Sequence, residues 1–163
     1  MESFIPLTIQ ILLISSALVL MGIMAWSDAR YFRLPLVSNI IFLIVGLVVG
    51  HLAFGISKSD ALIGASAGYL GLAAVAKAYR NLRSREGLGG GDPILLSGIG
   101  AWLGWEVLPT IVLFAASSGL AFAVLQRLFG PRRTAWQDQR IPLGSCLIGA
   151  AVLSGATMLI AGR

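Results

Sequence analysis

The run Ser3–Ser27, SFIPLTIQILLISSALVLMGIMAWS, contains no Lys, Arg, Asp, Glu or His. A helix needs about 20 mainly apolar residues to cross the roughly 30 Å hydrocarbon core of a bilayer, and this run is long enough. Further apolar runs follow it. Leu34–Ser57 is interrupted only by His51, and Ala61–Ala76 extends through Tyr79 if Lys77 snorkels toward headgroups. Pro93–Trp105 is short, and Val107–Gln126 and Ile141–Gly162 complete the set. The expected fold is all-α: a polytopic membrane protein of about six transmembrane helices in one bundle, with residues 1–163 forming a single domain.

Composition agrees with lipid as the main solvent. Of the 163 residues, 57% are hydrophobic and 12% charged, and the mean hydropathy is +0.88. Soluble domains carry about 25% charged residues, and a chain this short lacks the interior to hide so much apolar surface. The net charge of +5 does not point to nucleic acid, because the basic residues cluster between apolar runs, where anionic lipid and topology account for them. Cys146 is the only cysteine, so no internal disulfide forms. Met1-Glu2-Ser3 lacks the basic start of a secretory signal, and the run behind it is too long for a signal core. It reads as a retained first span.

Ten of the twelve basic residues fall in the first, third and fifth loops: Arg30 and Arg33, then Lys77, Arg80, Arg83 and Arg85, then Arg127, Arg132, Arg133 and Arg140. Lys58 and Arg163 lie on the other side. The bias of Lys and Arg toward cytoplasmic loops places those three loops inside and both termini outside. Asp28 heads the first loop and Asp92 closes the third, so both face the cytoplasm.

Acidic residues are scarce, and Asp92 stands out among them. It follows Gly89-Gly90-Gly91 and precedes a segment of 13 apolar residues, which as a helix rises about 20 Å, short of the hydrocarbon thickness. Irregular backbone at membrane depth is tolerated only inside protein or beside a wet cavity, and an ionisable group there is a functional candidate. Two carboxylates in a partly dry site share a proton, so one can activate a water while the other polarises a carbonyl. Such a pair needs no metal, cofactor or nucleophilic side chain, and none is expected. Glycines at Gly89 and Gly91 would let a substrate backbone come close. The residues alone leave a plainer alternative open: Asp28 paired with Arg30 or Arg33, and Asp92 capping a helix with Pro93 in its first turn. One His, one Cys and no CxxC argue against zinc. There is no GxSxG, and His51 is expected on the face opposite the aspartates, against a Ser-His-Asp triad. Gly46-xxx-Gly50, Gly64-xxx-Gly68 and Gly100-xxx-Gly104 read as close helix packing. Trp26, Trp102, Trp105 and Trp136 read as interfacial anchors.

Arg85-Glu86-Gly87-Leu88-Gly89-Gly90-Gly91-Asp92, with Leu95-Leu96 and Gly100-Ala101-Trp102-Leu103-Gly104 behind it, resembles the signature of type IV prepilin peptidases, the GxGD aspartic intramembrane peptidases. Asp28 with the downstream Leu34-Pro35 is similar to the family's first aspartate, and Ile141-Pro142-Leu143-Gly144 resembles its late segment opening the last helix. The resemblance implies a hydrolase that cuts a short basic leader, ending in Gly, from prepilin-like or pseudopilin precursors of type IV pili and protein secretion. The cut falls at the cytoplasmic face of the bacterial inner membrane. It gives Asp28 and Asp92 the catalytic roles and Gly89 and Gly91 the active-site loop. The form resembled is a short one without the N-terminal methyltransferase segment, so N-methylation is not expected. Two departures stand out: Ile94 occupies the family's usual lysine position, and Leu36 replaces the polar residue after Leu-Pro. If leader recognition is electrostatic, Glu86 and Asp138 are its candidates, with membrane lipids as the other partner and no nucleic acid. A presenilin-like protease fits less well, because Asp28 follows Ser27 rather than Tyr and no Pro-Ala-Leu occurs. The alternative from outside enzymology is a proton-coupled small transporter using the two aspartates as a relay.

Overall fold

A computed structural model describes residues 6–31, 34–83, 89–129 and 142–161. The described residues form helices α1 (Leu7–Tyr31), α2 (Leu36–Phe54), α3 (Lys58–Arg83), α4 (Asp92–Leu103), α5 (Leu108–Phe129) and α6 (Leu143–Ile160), with no strand among them. All except α4 are long and apolar enough to cross a bilayer. The apolar runs therefore map one to one onto helices, as expected of an integral membrane protein. Large apolar side chains such as Leu12, Val19, Leu62, Leu70, Leu113 and Leu153 point outward, where lipid rather than water must meet them.

The boundaries differ from the sequence expectation in one place that matters. The first helix runs past Ser27 to Tyr31, so Asp28 lies in its last turn instead of heading a loop. Nothing between Ser27 and Tyr31 breaks a helix, and Arg30 in the final turn suits the negative end of the dipole. The next breaker is Pro35, which precedes α2.

The short helix α4 occupies the middle of the bundle. Every residue in it except Ile94 is buried. It packs mainly against α2 and α3, while α6 lies between α1 and α5. The small-residue patterns explain how close α4 can come. A Cβ on Gly50 would stand 2.7 Å from the Ala101 carbonyl oxygen, and one on Gly68 would stand 2.6 Å from that of Leu96. Gly64 and Gly100 meet backbone to backbone. These contacts run α3 antiparallel to α4 and α2 parallel to it. Without a hydrophobic drive between helices in lipid, such contact area and interhelical hydrogen bonds hold the bundle. Ser97 Oγ supplies one, donating to the Ala65 carbonyl at 2.7 Å.

Trp102 corrects an expectation. It is no interfacial anchor but is 1% exposed, stacks on Phe42 with ring centroids 5.8 Å apart, and donates its Nε1–H to the Phe42 carbonyl at 3.0 Å. Its place near the end of α4 misleads because α4 is sheathed by protein, so its ends do not lie at a lipid interface. Trp26 and Trp105 are exposed, as anchors would be. Trp136 lies outside the described residues.

Candidate functional site

Four helix ends converge at one end of the bundle: the C-terminus of α1 and the N-termini of α2, α4 and α6. Hydrogen bonds and side-chain contacts tie them together. Asp28 in α1 bonds to Ser145 in α6, and Asn39 in α2 bonds to Gly91 before α4. Leu34 fills the space between, standing against both Gly91 and Gly144. Arg30, Lys77, Arg80 and Arg127 lie near helix C-termini at this same end.

Asp28 and Asp92 are 6% and 5% exposed, the only buried carboxylates among the described residues. Leu34 links their surroundings, its side chain standing against Gly91 just before Asp92 and against Gly144, which also meets the Asp28 carboxylate. The other described acids sit at the far end of the bundle. Asp60 lies in the first turn of α3 there, accepting from Ser57 Oγ at 2.6 Å and from Trp105 Nε1 at 3.2 Å.

Each carboxylate is held by a different device. Asp28 accepts the backbone N–H of Ser145 at 2.7 Å and its hydroxyl at 3.0 Å, both on Oδ2. Ser145 is the third residue of α6, so its N–H is one of the donors a helix start leaves without an intrahelical partner. Asp28 thus caps the neighbouring helix from outside and sits at the positive end of its dipole. Gly144 permits the approach, since a Cβ there would lie 3.1 Å from the Asp28 carboxyl carbon. Arg30, offered by the sequence as an ion-pair partner, lies over the Trp26 ring at 5.9 Å from its centroid.

Asp92 opens α4 with Pro93 behind it. Its own N–H donates to the Gly89 carbonyl at 3.1 Å, and its Oδ2 accepts the Gly89 N–H at 3.1 Å. The two bonds close Gly89–Asp92 into a compact turn that holds the carboxylate against its own glycine loop. The plainer alternative of Asp92 as a helix cap does not hold, since Gly91 is the cap residue and no side-chain bond caps α4. Asn39, fully buried, donates from Nδ2 to the Gly91 carbonyl at 3.1 Å and fixes the loop from α2. Gly91 is the glycine that geometry requires here, because a Cβ would fall 2.9 Å from that of Leu34 and 3.1 Å from Asn39 Nδ2.

The structure thus brings together Asp28, Asp92, Gly89 and Gly91, and adds Asn39 and Ser145. Asn39 carried a signal in the sequence, being the only carboxamide in the second apolar run. Ser145 carried none beyond following Pro142-Leu143-Gly144. Arg85, Glu86, Gly87, Leu88, Asp138 and Ile141, which carry part of the resemblance or of the leader-binding expectation, lie outside the described residues. Among the described residues no three His, Cys, Asp or Glu side chains gather as a metal site would require.

The model of the type IV leader peptidase family, Peptidase_A24, matches residues 12–124, a stretch that includes Asp28, Gly89, Gly91 and Asp92. The chain belongs to the type IV leader peptidase family. Curated relatives named prepilin leader peptidase/N-methyltransferase agree. That of Pectobacterium carotovorum subsp. carotovorum is 39% identical over 117 residues, covering 72% of this chain and 40% of the relative. That of Dickeya chrysanthemi is 42% identical over 112 residues, covering 67% and 40%. That of Pseudomonas aeruginosa is 38% identical over 128 residues, covering 77% and 43%. The chain therefore spans about two fifths of the length of these relatives. No solved structure matches it significantly. Within this family member the Ser145 contact lies beyond the matched stretch, on α6.

Proposed function

We propose that this protein is a membrane-embedded aspartic endopeptidase that removes the basic leader from type IV prepilin-like or pseudopilin precursors, using Asp28 and Asp92 as its catalytic pair. The observation that carries the reading is the pair itself: two buried carboxylates from helices far apart in sequence, each held by hydrogen bonds, at the end of the bundle where Leu34 joins the starts of α4 and α6. Family membership supplies the substrate class, since the relatives are named for leader cleavage.

Two such carboxylates cannot both ionise cheaply and share a proton. The ionised member takes a proton from water as the water oxygen adds to the scissile carbonyl carbon. The protonated member donates to the carbonyl oxygen. Collapse of the tetrahedral species then breaks the C–N bond, with a proton passing to the departing amine. The turn at Gly89–Asp92 gives an extended substrate backbone room beside the acids. The concentration of basic residues at this end of the bundle supports a cytoplasmic active face in the inner membrane, with both termini outside.

Asp28→Asn and Asp92→Asn test the pair, because each keeps the side-chain shape while removing the acid. General acid–base catalysis contributes about 10²–10⁴-fold, so each variant is expected to lose at least about 100-fold in cleavage of a co-expressed prepilin, read as a gel shift of the leader. Full cleavage by either variant, at parental protein level, would sink the assignment.

A further inference from the structure

Beside the two aspartates, Ser145 is the side chain most intimately bound to the proposed chemistry. Its backbone N–H and its hydroxyl both donate to Oδ2 of Asp28, at 2.7 Å and 3.0 Å. The described bonds to Asp28 all fall on that one oxygen, so Ser145 fixes the carboxylate from its Oδ2 side. The two donors differ in kind. The N–H belongs to the first turn of α6 and cannot move without moving the helix. The hydroxyl rotates, and it has a second acceptor within reach, the Ala25 carbonyl at 3.2 Å.

One hydroxyl carries one proton, so it serves one of these acceptors at a time. Ala25 is four residues from Ala29 inside α1, and its carbonyl already takes a helical bond. While Asp28 is a carboxylate, its Oδ2 is the stronger claim on the hydroxyl, because a charged acceptor makes the stronger bond. Once Asp28 holds a proton, the hydroxyl can turn to Ala25 and lose nothing. A fixed donor could not follow the acid in this way.

We infer that Ser145 is a positioning residue for leader cleavage: it anchors Oδ2 of Asp28 and so sets the direction of the carboxylate, and its hydroxyl follows the protonation of Asp28 through each turnover. This rests on the peptidase reading above. The hydroxyl's part can be separated from that of the backbone N–H, which every substitution except proline retains.

The test uses the full chain purified in detergent, with a prepilin bearing a basic leader that ends in Gly before an apolar helix. Parent, Asp28→Asn, Ser145→Ala, Ser145→Thr and Ser145→Val are compared for kcat, KM and thermal midpoint. Thr and Val share one shape and differ only in the hydroxyl, so this pair decides even if the alanine variant fails to accumulate. Losing a hydrogen bond to a charged group corresponds to about 10- to 100-fold in rate. The expected result is a kcat lower by about that factor in Ser145→Ala and Ser145→Val, KM within about twofold, and Ser145→Thr restored to within about threefold of the parent. Parental kcat in Ser145→Val, or equal losses in Ser145→Thr and Ser145→Val, would overturn the role of the hydroxyl while leaving the aspartate pair standing. An inactive parent, or an active Asp28→Asn, overturns the peptidase reading and this inference with it.

Discussion

Gly68→Ala and Gly71→Ala form a matched pair on α3 that measures how much of this bundle is held by close approach of backbones. The two glycines lie three residues apart on one helix, yet their surroundings are opposite. A Cβ on Gly68 would meet only backbone: the Leu96 carbonyl oxygen at 2.6 Å, its carbon at 2.8 Å and the Ser97 nitrogen at 3.0 Å. At Gly71 nothing lies within 4 Å. Ordinary carbon contacts sit at about 3.5–4.0 Å, so the Gly68 methyl requires α3 and α4 to part by close to an ångström. A gap of that size forfeits about a quarter to a half of each affected contact. Overpacking of this kind costs about 1–3 kcal/mol. The helix-propensity gain of alanine over glycine, about 1 kcal/mol, is common to both variants and cancels in their difference. For a domain of this size the difference corresponds to about 2–12 °C in thermal midpoint. The expected outcome is Gly71→Ala at or above the parent and Gly68→Ala below it, measured by thermal unfolding in detergent micelles. Leader cleavage by Gly68→Ala should fall further than its stability, because the displaced helix carries Asp92 at its head. Equal midpoints for the two variants would refute the claim that α3 and α4 are held by contact at Gly68.

Three other perturbations probe different parts of the frame. Trp102→Phe keeps most of the apolar volume but leaves the buried Phe42 carbonyl without its side-chain donor, and should lower stability by about 1–3 kcal/mol in the same unfolding assay. Gly144→Ala pushes a methyl to within 3.1 Å of the Asp28 carboxylate, so cleavage should drop by an order of magnitude or more while stability changes by only about 1 kcal/mol. Ser57→Ala removes the hydroxyl that accepts the Asp60 N–H at 3.0 Å at the start of α3. It should cost about 1 kcal/mol of stability with cleavage rates unchanged, since this cap lies at the end of the bundle away from the two buried aspartates.

The helices were legible because lipid imposes one rule on every span, a long run without charge. The small-residue patterns at Gly46, Gly50, Gly64 and Gly68 were legible for a related reason, since only glycine lets backbones touch. The identity of the partner surface was not, because spacing along α3 does not say that α4 lies against it. Asp28 and Asp92 could be singled out by scarcity, yet their immediate environment could not. Ser145 is 117 residues from Asp28, and nothing in Leu143-Gly144-Ser145 announces that a carboxylate from α1 caps that turn. Trp102 misleads for the same cause: a tryptophan near a helix end marks an interface only when the helix reaches the interface.

The helix that carries Trp102 is also too short to span a bilayer. Twelve residues rise about 18 Å, some 12 Å less than the hydrocarbon they would have to cross. An isolated helix of this length would leave its terminal amides and carbonyls in lipid, at several kcal/mol for each unsatisfied group. Here α2, α3 and α6 enclose it, and protein groups serve its ends. The Gly89 carbonyl takes the Asp92 N–H, Asn39 takes up the Gly91 carbonyl, and Gly100 accepts the N–H of Gly104. A short central helix inside longer ones therefore sets Asp92 at its head among the starts of α2 and α6, with hydrogen bonds serving the ends of α4. Asp28 comes to the same end of the bundle from the last turn of α1, where the start of α6 supplies its donors. The shortness of α4 and the burial of Asp92 then go together: a full-length fourth span would carry Asp92 out toward bulk water, where the proposed pair would lose its partly dry setting.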